Sequence, residues 1–578
     1  MELQGIGASP GIVIGKAFVL DQAEVAVKKG KVSEQQVEAE VERLRQAISR
    51  TKEELFDLKR KVGSEIGDRQ AAIFNAHLMF LDDPTLLVEA SEHIRRDKLG
   101  AGWVVHQFVE RYVALFEAAQ DATMRDRYVD IRDVGKRLLR HLEGDTLHQL
   151  SQMEEGVVVV AHELGPSDTA QMDAAKVRGF ATDVGGRTSH TAIMARTLEI
   201  PAVVGLESAS KKVRSGDLLV LDGIEGKLVV NPTAEQLASY RKRRRQIMAQ
   251  EQSLSRLRKL PAQTLDGMRV TLAANIELPE EAKPAMARGA EGVGLFRTEF
   301  LFLNRNNLPT EDEQFESYRL ACKHCAPHPV VVRTLDLGGD KFLSHLGLAP
   351  EMNPFLGLRA IRLCLAHPYI FKVQLRAILR ASHFGKLKIM FPLVSGLEEL
   401  RQAQALVREV KQDLQKRGIP FDPKVEMGAM IEVPSAAITA DLMAKEVDFF
   451  SVGTNDLIQY TMAVDRANER IAYLYDPLHP AILRTLKMII DAGHKEKIWV
   501  GLCGEMAGDP FFSLILLGLG LDEFSTSAVS IPEVKHMIRS VNFKDAQALA
   551  QDVLAFSTSR EIRDYLSKSV VGKLLTPL

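Results

Sequence analysis

The stretch Asp448-Phe449-Phe450-Ser451-Val452-Gly453-Thr454-Asn455-Asp456-Leu457-Ile458-Gln459-Tyr460 turns from an apolar run into a polar one across a single glycine. Phe449 to Val452 has the length and composition of a buried strand, and the residues after Gly453 suit a loop or helix start. Seven further runs in the C-terminal half have the same character: Val270-Thr271-Leu272, Gly292 to Phe296, Val330-Val331-Val332, Ile389-Met390-Phe391, Ala429 to Val433, Trp499-Val500-Gly501-Leu502 and Glu523-Phe524-Ser525. Helix-favouring segments separate them. Eight such strands alternating with helices predict a closed β/α barrel.

In such a barrel the active site lies at the C-terminal ends of the strands. Most of the runs end there in chemistry. The second closes on Arg297-Thr298-Glu299 and the third on Arg333-Thr334-Leu335-Asp336, followed by Gly338-Gly339-Asp340-Lys341. Glu432 interrupts the fifth, Asn455 and Asp456 follow the sixth with Arg466 shortly after, and Cys503-Gly504-Glu505 follows the seventh. Guanidinium groups match phosphate and carboxylate oxygens in bidentate fashion. Glu432 and Asp456 offer hard oxygen ligands to a divalent cation such as Mg²⁺. The ligand this mouth suits is a small polyanion carrying phosphate. One arginine after a strand is commonplace; the repetition at equivalent positions carries the reading.

The N-terminal half has a different texture. Gly5 to Leu20 is glycine-punctuated and β-branched, reading as a strand or hairpin. From about Val32 to Leu150 helical stripes run through Val37, Val41, Leu44 and Ile48, which predicts a bundle of about four helices. Strands return at Val157 to Val160, Val177 to Thr182, Ala202 to Val204, Leu218 to Leu221 and Leu228 to Val230. These form a compact α/β unit that the N-terminal strands can join, with the bundle inserted between them. A polar helix over about Ala234 to Leu260 leads to Pro261 and the barrel.

Within the α/β unit stands Gly185-Gly186-Arg187-Thr188-Ser189-His190-Thr191-Ala192. A strand ends at the glycine pair, Thr188 and Ser189 suit helix caps, and His190 falls in the first turn of a short helix. Free backbone N–H groups and the positive end of the helix dipole favour an anion there. A neutral imidazole in that setting is a nucleophile for phosphoryl transfer. A capping or structural histidine would show the same local pattern, so these residues alone leave both readings open.

Composition narrows the classes. With 578 residues the chain exceeds one core, and 46% apolar with 26% charged residues is ordinary for a globular protein. A net charge of -2 gives no general attraction to nucleic acid or anionic membrane. The first twenty residues lack the basic leading region of a signal peptide, the apolar run near Phe511 to Leu521 is too short to span a bilayer, and four cysteines do not make a disulfide framework. These features predict a cytoplasmic protein.

Gly185 to Ala195 resembles the phosphohistidine signature of the phosphoenolpyruvate-utilising enzymes, and Asp448 to Tyr460 resembles that family's barrel signature. The order of parts, a helical insertion ahead of the histidine and a barrel after it, is similar to the Enzyme I branch of the phosphoenolpyruvate–sugar phosphotransferase system. The resemblance spans essentially the whole chain. It implies a multidomain α/β architecture: N-terminal strands (1–25) and residues 148–232 as the phosphohistidine domain, 26–147 as the inserted bundle that docks the carrier protein HPr, 233–260 as linker helix, and 261–578 as a (β/α)8 barrel that binds phosphoenolpyruvate and forms a homodimer. It implies that His190 is phosphorylated through Nε2, with Thr169 positioning it. It further implies that Arg297, Arg333 and Arg466 bind the substrate, that Asn455 with the Asn455–Asp456 backbone helps hold it, that Glu432 and Asp456 bind Mg²⁺, and that Cys503 protonates the enolate. No departure from the family pattern appears at these positions.

Other readings carry less. A nucleotide-dependent dikinase needs a large nucleotide-binding domain, and no glycine-rich phosphate loop precedes His190. A regulator that has lost catalysis does not explain complete arginine, carboxylate and cysteine sets. Nitrogen-linked relatives carry an extra N-terminal sensory domain, whereas this sequence opens on the Gly5 strand, so sugar transport is expected. Cys322-Lys323-His324-Cys325 has metal or redox spacing but no second pair, so its spacing reads as incidental. Arg241-Lys242-Arg243-Arg244-Arg245 lacks interleaved aromatics and reads as a solvated helix face. His77 is equally a core histidine or part of the carrier contact.

Overall fold

The computed structural model describes residues 1–578 except 21–26, 28, 66–72, 118–127, 144–154, 165–175, 187–188, 190, 193–194, 196–199, 304–306, 339–352, 467, 469 and 569–578. It divides into two compact units, Met1–Met248 and Ala249–Leu578.

The first unit is built on eight strands: β1 (Glu2–Gln4), β2 (Ile6–Ser9), β3 (Ile12–Val19), β4 (Val157–Ala161), β5 (Val177–Thr182), β6 (Ala202–Val204), β7 (Leu218–Asp222) and β8 (Lys227–Val230). They form one sheet in the order β1-β8-β7-β3-β4-β5-β6-β2. β3, β4, β5 and β6 run parallel, while β3–β7, β7–β8, β1–β8 and β2–β6 are antiparallel. The all-valine core of β4 is buried along its length, as a central parallel strand covered on both faces requires. The N-terminal segment is three strands rather than a single strand or hairpin, and β3 pairs with both β4 and β7. Strands from before and after the helical segment thus share one sheet, which makes that segment an insertion.

Five helices occupy the insertion among the described residues, rather than about four: Val37–Glu65, Ile73–Asp82, Pro84–Asp97, Ala101–Glu117 and Tyr128–Glu143. The extra division falls at Pro84, which disfavours helical backbone at the residue before it. Val37, Val41, Leu44 and Ile48 face the bundle core as their spacing predicts. His77 is wholly buried, its Nε2 3.2 Å from Asp130 Oδ1; it is a core histidine.

The helix Ala234–Arg256 packs Leu237, Tyr240 and Ile247 against Ile12, Val220 and Val229. Arg243 pairs with Asp222 at 2.8 Å and Glu225 at 2.7 Å, so that member of the basic run serves the first unit's own fold.

The second unit holds a closed barrel of eight parallel strands: β9 (Thr271–Ile276), β10 (Val293–Arg297), β11 (Val330–Arg333), β12 (Leu387–Phe391), β13 (Met427–Ile431), β14 (Phe449–Val452), β15 (Trp499–Leu502) and β16 (Glu523–Thr526). Each sequence run overlaps one of them. The barrel interior is filled by Leu295, Val331, Met390, Met430 and Phe449, with Trp499 packed alongside and Cys503 at the mouth end. Trp499 stacks on Phe449 at a ring separation of 4.5 Å. Cys322 and Cys325 lie buried in the helix Glu311–Cys325, and burial pushes the first thiol up to about 12 and the second to about 11. Such thiols are inert packing groups. Among the described residues no helix is long and apolar enough to cross a membrane.

Candidate active site in the barrel mouth

The strand ends of β10, β11, β13, β14 and β15 surround a cavity of about 380 Å³. Leu295, Met430 and Cys503 contribute apolar surface; Arg297, Arg333, Arg359 and Arg466 contribute cations; Asp336, Glu432, Asp456 and Glu505 contribute anions. All seven barrel residues expected from the sequence therefore line one space, Asn455 included.

Arg333 ends β11 with its side chain mostly, not wholly, buried. Its Nη2 donates to Glu299 Oε1 at 3.0 Å and its Nη1 pairs with Asp336 Oδ2 at 2.9 Å. Burial alone would weaken its charge, but Glu299, Asp336 and Glu432 outweigh burial and hold it firmly protonated. Asp336 also accepts from Arg359 Nη2 at 2.8 Å; although burial opposes ionisation, the two guanidiniums keep this carboxylate below its usual range. Arg297 ends β10 and is held by Glu277 at 3.0 Å. Among the described residues the buried Nε atoms of Arg333 and Arg359 have no hydrogen-bond partner. The four guanidiniums that line the cavity carry further N–H donors and positive charge, a donor set that fits a bound oxyanion.

Glu432, just past β13, is 2% exposed and accepts from the Leu393 N–H at 2.6 Å. Burial and the charges of Asp336 and Asp456 push its carboxyl well up, and burial raises Asp456 as well. Gly453 makes the space: a Cβ there would lie 2.5 Å from Glu432 Oε2. Two buried carboxylates held against their own repulsion fit a divalent cation, and Mg²⁺ characteristically takes one or two protein carboxylates plus substrate phosphate oxygens. The formal charge agrees, because the four arginines and four carboxylates lining the cavity cancel. A phosphate-bearing anion gains a positive cavity only when a cation joins it.

Cys503 follows β15. Its N–H donates to the Val452 carbonyl at 3.1 Å and its carbonyl accepts from Asn275 Nδ2 at 3.0 Å. Burial is the main influence on the thiol and raises it, so Cys503 stays protonated at neutral pH. Asn455 Oδ1 accepts from the Glu505 N–H at 3.2 Å, and its own carbonyl accepts from the Tyr475 hydroxyl at 3.3 Å. Arg466 reaches the rim, its backbone N–H bonded to Gln459 Oε1 at 3.3 Å.

Arg359 and Asn275 were not singled out in the sequence. Arg359 precedes the helix Ala360–Ala366 in the long connection between β11 and β12, so the strand-end rule misses it. The one available signal was the length of that connection, 53 residues from Thr334 to Lys386, since long loops at a barrel's top face carry function. Asn275 lies on β9 beyond the apolar run that marked the strand.

The second constellation is partly described. Gly185, Gly186, Ser189, Thr191 and Ala192 follow β5; the Ala192 N–H donates to Ser189 Oγ at 3.4 Å, and Thr191 Oγ1 donates to the Leu164 carbonyl at 3.2 Å. His190 and Thr169 lie outside the described residues, as do Gly339, Asp340 and Lys341.

A barrel whose C-terminal mouth gathers four arginines, four carboxylates and a protonated thiol is the architecture of an enzyme acting on a small phosphorylated acid. Residues 251–543 match the PEP-utilising enzyme, PEP-binding domain; residues 4–127 match the PEP-utilising enzyme, N-terminal; residues 153–226 match the PEP-utilising enzyme, mobile domain. A phosphoenolpyruvate-protein phosphotransferase of Geobacillus stearothermophilus is 49% identical over 98% of both chains, and one of Bacillus subtilis (strain 168) is 48% identical over 98% of this chain and 99% of its own. A solved structure described as the NMR solution structure of Enzyme I (nEIt) is 44% identical, covers 43% of this chain and 99% of its own, and superposes with a TM-score of 0.37. The chain belongs to the PEP-utilising enzymes, in the branch of the phosphoenolpyruvate-protein phosphotransferases. Enzymes of this family are generally magnesium-dependent.

Proposed function

We propose that the protein takes the phosphoryl group of phosphoenolpyruvate onto Nε2 of its own His190, releases pyruvate, and passes the group to the carrier protein HPr, as the first step of cytoplasmic sugar uptake. The observation that carries this reading is the convergence, in one cavity, of four guanidiniums, a carboxylate pair and a buried protonated thiol. Each answers a need of the reaction. Arg297, Arg333, Arg359 and Arg466 hold the phosphate and carboxylate and stabilise charge as the P–O bond breaks. Glu432 and Asp456 would hold Mg²⁺, which when bound supplies further electrostatic stabilisation. The imidazole of His190 attacks phosphorus in line, and the leaving group is the enolate of pyruvate. Cys503 gives its thiol proton to the methylene carbon, and the ketone that forms makes release favourable. A positioned acid is worth about 10²–10⁴ in rate. Residues 26–147 serve as the HPr docking domain in this reading, with residues 1–25 and 148–232 carrying the histidine, 233–260 linking, and the barrel at 261–578 supplying the homodimer contact.

The test is to incubate the protein with phosphoenolpyruvate, Mg²⁺ and HPr and to follow both products. The reading expects pyruvate and phosphorylated HPr in equal amounts. Pyruvate without phosphorylated HPr would identify a hydrolase or a different acceptor, and no pyruvate would remove the substrate assignment.

A further inference from the structure

The carbonyl of Cys503 is held by a side chain from a strand that is not its neighbour. β15 pairs with β14 and β16, and β9 lies beyond β16. Asn275 on β9 nevertheless reaches across and donates Nδ2–H to the Cys503 carbonyl at 3.0 Å. Its own orientation is fixed by Ser525 on the intervening strand, whose hydroxyl donates to Asn275 Oδ1 at 2.6 Å. An amide held on its oxygen by a donor has only its NH₂ left to offer, so the Ser525 bond determines which end faces Cys503.

The brace acts just past the end of the strand. β15 ends at Leu502, and the chain then turns through Gly504, where a Cβ would overlap the Thr454 hydroxyl. Beyond the turn the Glu505 N–H is taken by Asn455 Oδ1. The Cys503 segment is therefore fixed at three points: by the Val452 carbonyl at the Cys503 N–H, by Asn275 at its carbonyl, and by Asn455 two residues on, at Glu505. Of these, Asn455 is already assigned to the substrate and the Val452 bond continues the ladder. Asn275 and Ser525 line no part of the cavity and touch no group that binds substrate in the reading above.

We propose that Asn275, oriented by Ser525, is a positioning residue for the Cys503 thiol, fixing the face of the enolate that receives the proton. This rests on the assignment of Cys503 as the acid. In the step concerned, the enolate carbon C3 takes the proton from Sγ, the C–H bond forms as the S–H bond breaks, and the thiolate left behind is reprotonated from solvent. Proton delivery requires the donor within hydrogen-bond reach and aligned, and a displacement of about 1 Å costs about 10²-fold. Phosphoryl transfer to the histidine precedes this step and does not use Asn275.

The experiment uses the full chain with phosphoenolpyruvate stereospecifically labelled with deuterium at C3, reacted in tritiated water with Mg²⁺ and HPr. The configuration of the chiral methyl of pyruvate is read alongside kcat and KM. The unaltered protein adds the proton to one face. In Asn275→Ala and in Asn275→Asp, which keeps the size and the acceptor for Ser525 but loses the donor, enolpyruvate escapes and is protonated from both faces in solution. Chirality is then lost and kcat falls at least about 10-fold, with KM within about 2-fold of its original value. Ser525→Ala, a smaller perturbation that frees the amide to flip, shows partial loss of chirality. Cys503→Ala separates the two levels of the argument. If it scrambles the methyl while the Asn275 and Ser525 variants retain full chirality and kcat, the positioning role is overturned and the acid stands. If Cys503→Ala itself retains chirality, the acid assignment fails, and the role of Asn275 falls with it.

Discussion

Glu432 is the residue at which the cation claim is sharpest. Buried and pressed by Asp336 and Asp456, its carboxyl sits well above the normal range, an environment that a divalent cation relieves. Glu432→Gln preserves shape and the acceptor oxygen facing the Leu393 N–H. It should raise the Mg²⁺ concentration for half-maximal phosphorylation by on the order of tenfold or more while leaving the unfolding midpoint of metal-free protein unchanged or higher. An unaltered Mg²⁺ requirement, measured by titration of the initial rate, would remove Glu432 from the cation site. Glu523, at the start of β16, makes a separate prediction about stability. Burial raises its carboxyl to about 7, with the charge of nearby Lys388 opposing. A carboxyl raised in the folded state contributes stability that is complete below its unfolded value near 4.3 and is lost as pH rises through about 7. The barrel should therefore lose on the order of 3 kcal/mol between pH 4.5 and pH 8 from this group. Glu523→Gln should flatten that fall, unfolding later than the parent at pH 8 in a denaturant series; equal pH dependence in the two proteins would show that Glu523 is not the group responsible.

At the scale of elements, the barrel was legible because the strands are short apolar runs, most of them closed by polar chemistry, and all eight runs overlap strands. The same regularity hid what does not come from strand ends. Arg359 enters from a loop, and its closeness to Asp336 at 2.8 Å exists only once β11 and the helix after that loop are both placed. Asn275 was hidden differently: the run Val270-Thr271-Leu272 marks the start of β9, but the strand continues to Ile276, and a polar residue near its end looks like the close of the element. That it braces a residue two strands away is a property of barrel closure, which no local pattern encodes. In the bundle the buried stripe of the helix Val37–Glu65 was plain from its spacing, whereas the division at Pro84 raised the helix number. Leu44 lies fully buried at the centre of that stripe. Leu44→Ala should destabilise the bundle by about 2–5 kcal/mol and weaken HPr binding at 37 °C, while calorimetric binding of phosphoenolpyruvate to the barrel stays unchanged. Equal loss of both would contradict the assignment of the two tasks to separate elements.

The whole molecule divides at Met248–Ala249, between the sequence that contains His190 and the barrel that contains every substrate-binding side chain proposed above. The helix Ala234–Arg256 crosses this division, its residues as far as Ile247 committed to the first unit through Leu237, Arg243 and Ile247. A fragment ending near Gln250 should fold alone and exchange phosphate between His190 and HPr. It should take none from phosphoenolpyruvate, because Arg297, Arg333, Arg359, Glu432 and Cys503 are gone. Offered phosphorylated HPr and phosphoenolpyruvate in separate reactions, the fragment distinguishes the possibilities: labelling by phosphoenolpyruvate would put the substrate site in the wrong unit, and a folded fragment unlabelled by phosphorylated HPr would rule out the bundle as docking surface.

The central claim is that one histidine links the two units' chemistry. Its most direct test is to incubate the full chain with phosphate-labelled phosphoenolpyruvate and Mg²⁺, without HPr, and to map the modified residue by mass spectrometry under conditions that preserve phosphoramidates. One phosphoryl group per chain on His190, acid-labile and absent from His190→Ala, is the predicted result. Label on another residue, or acid-labile phosphate retained by His190→Ala, would contradict it.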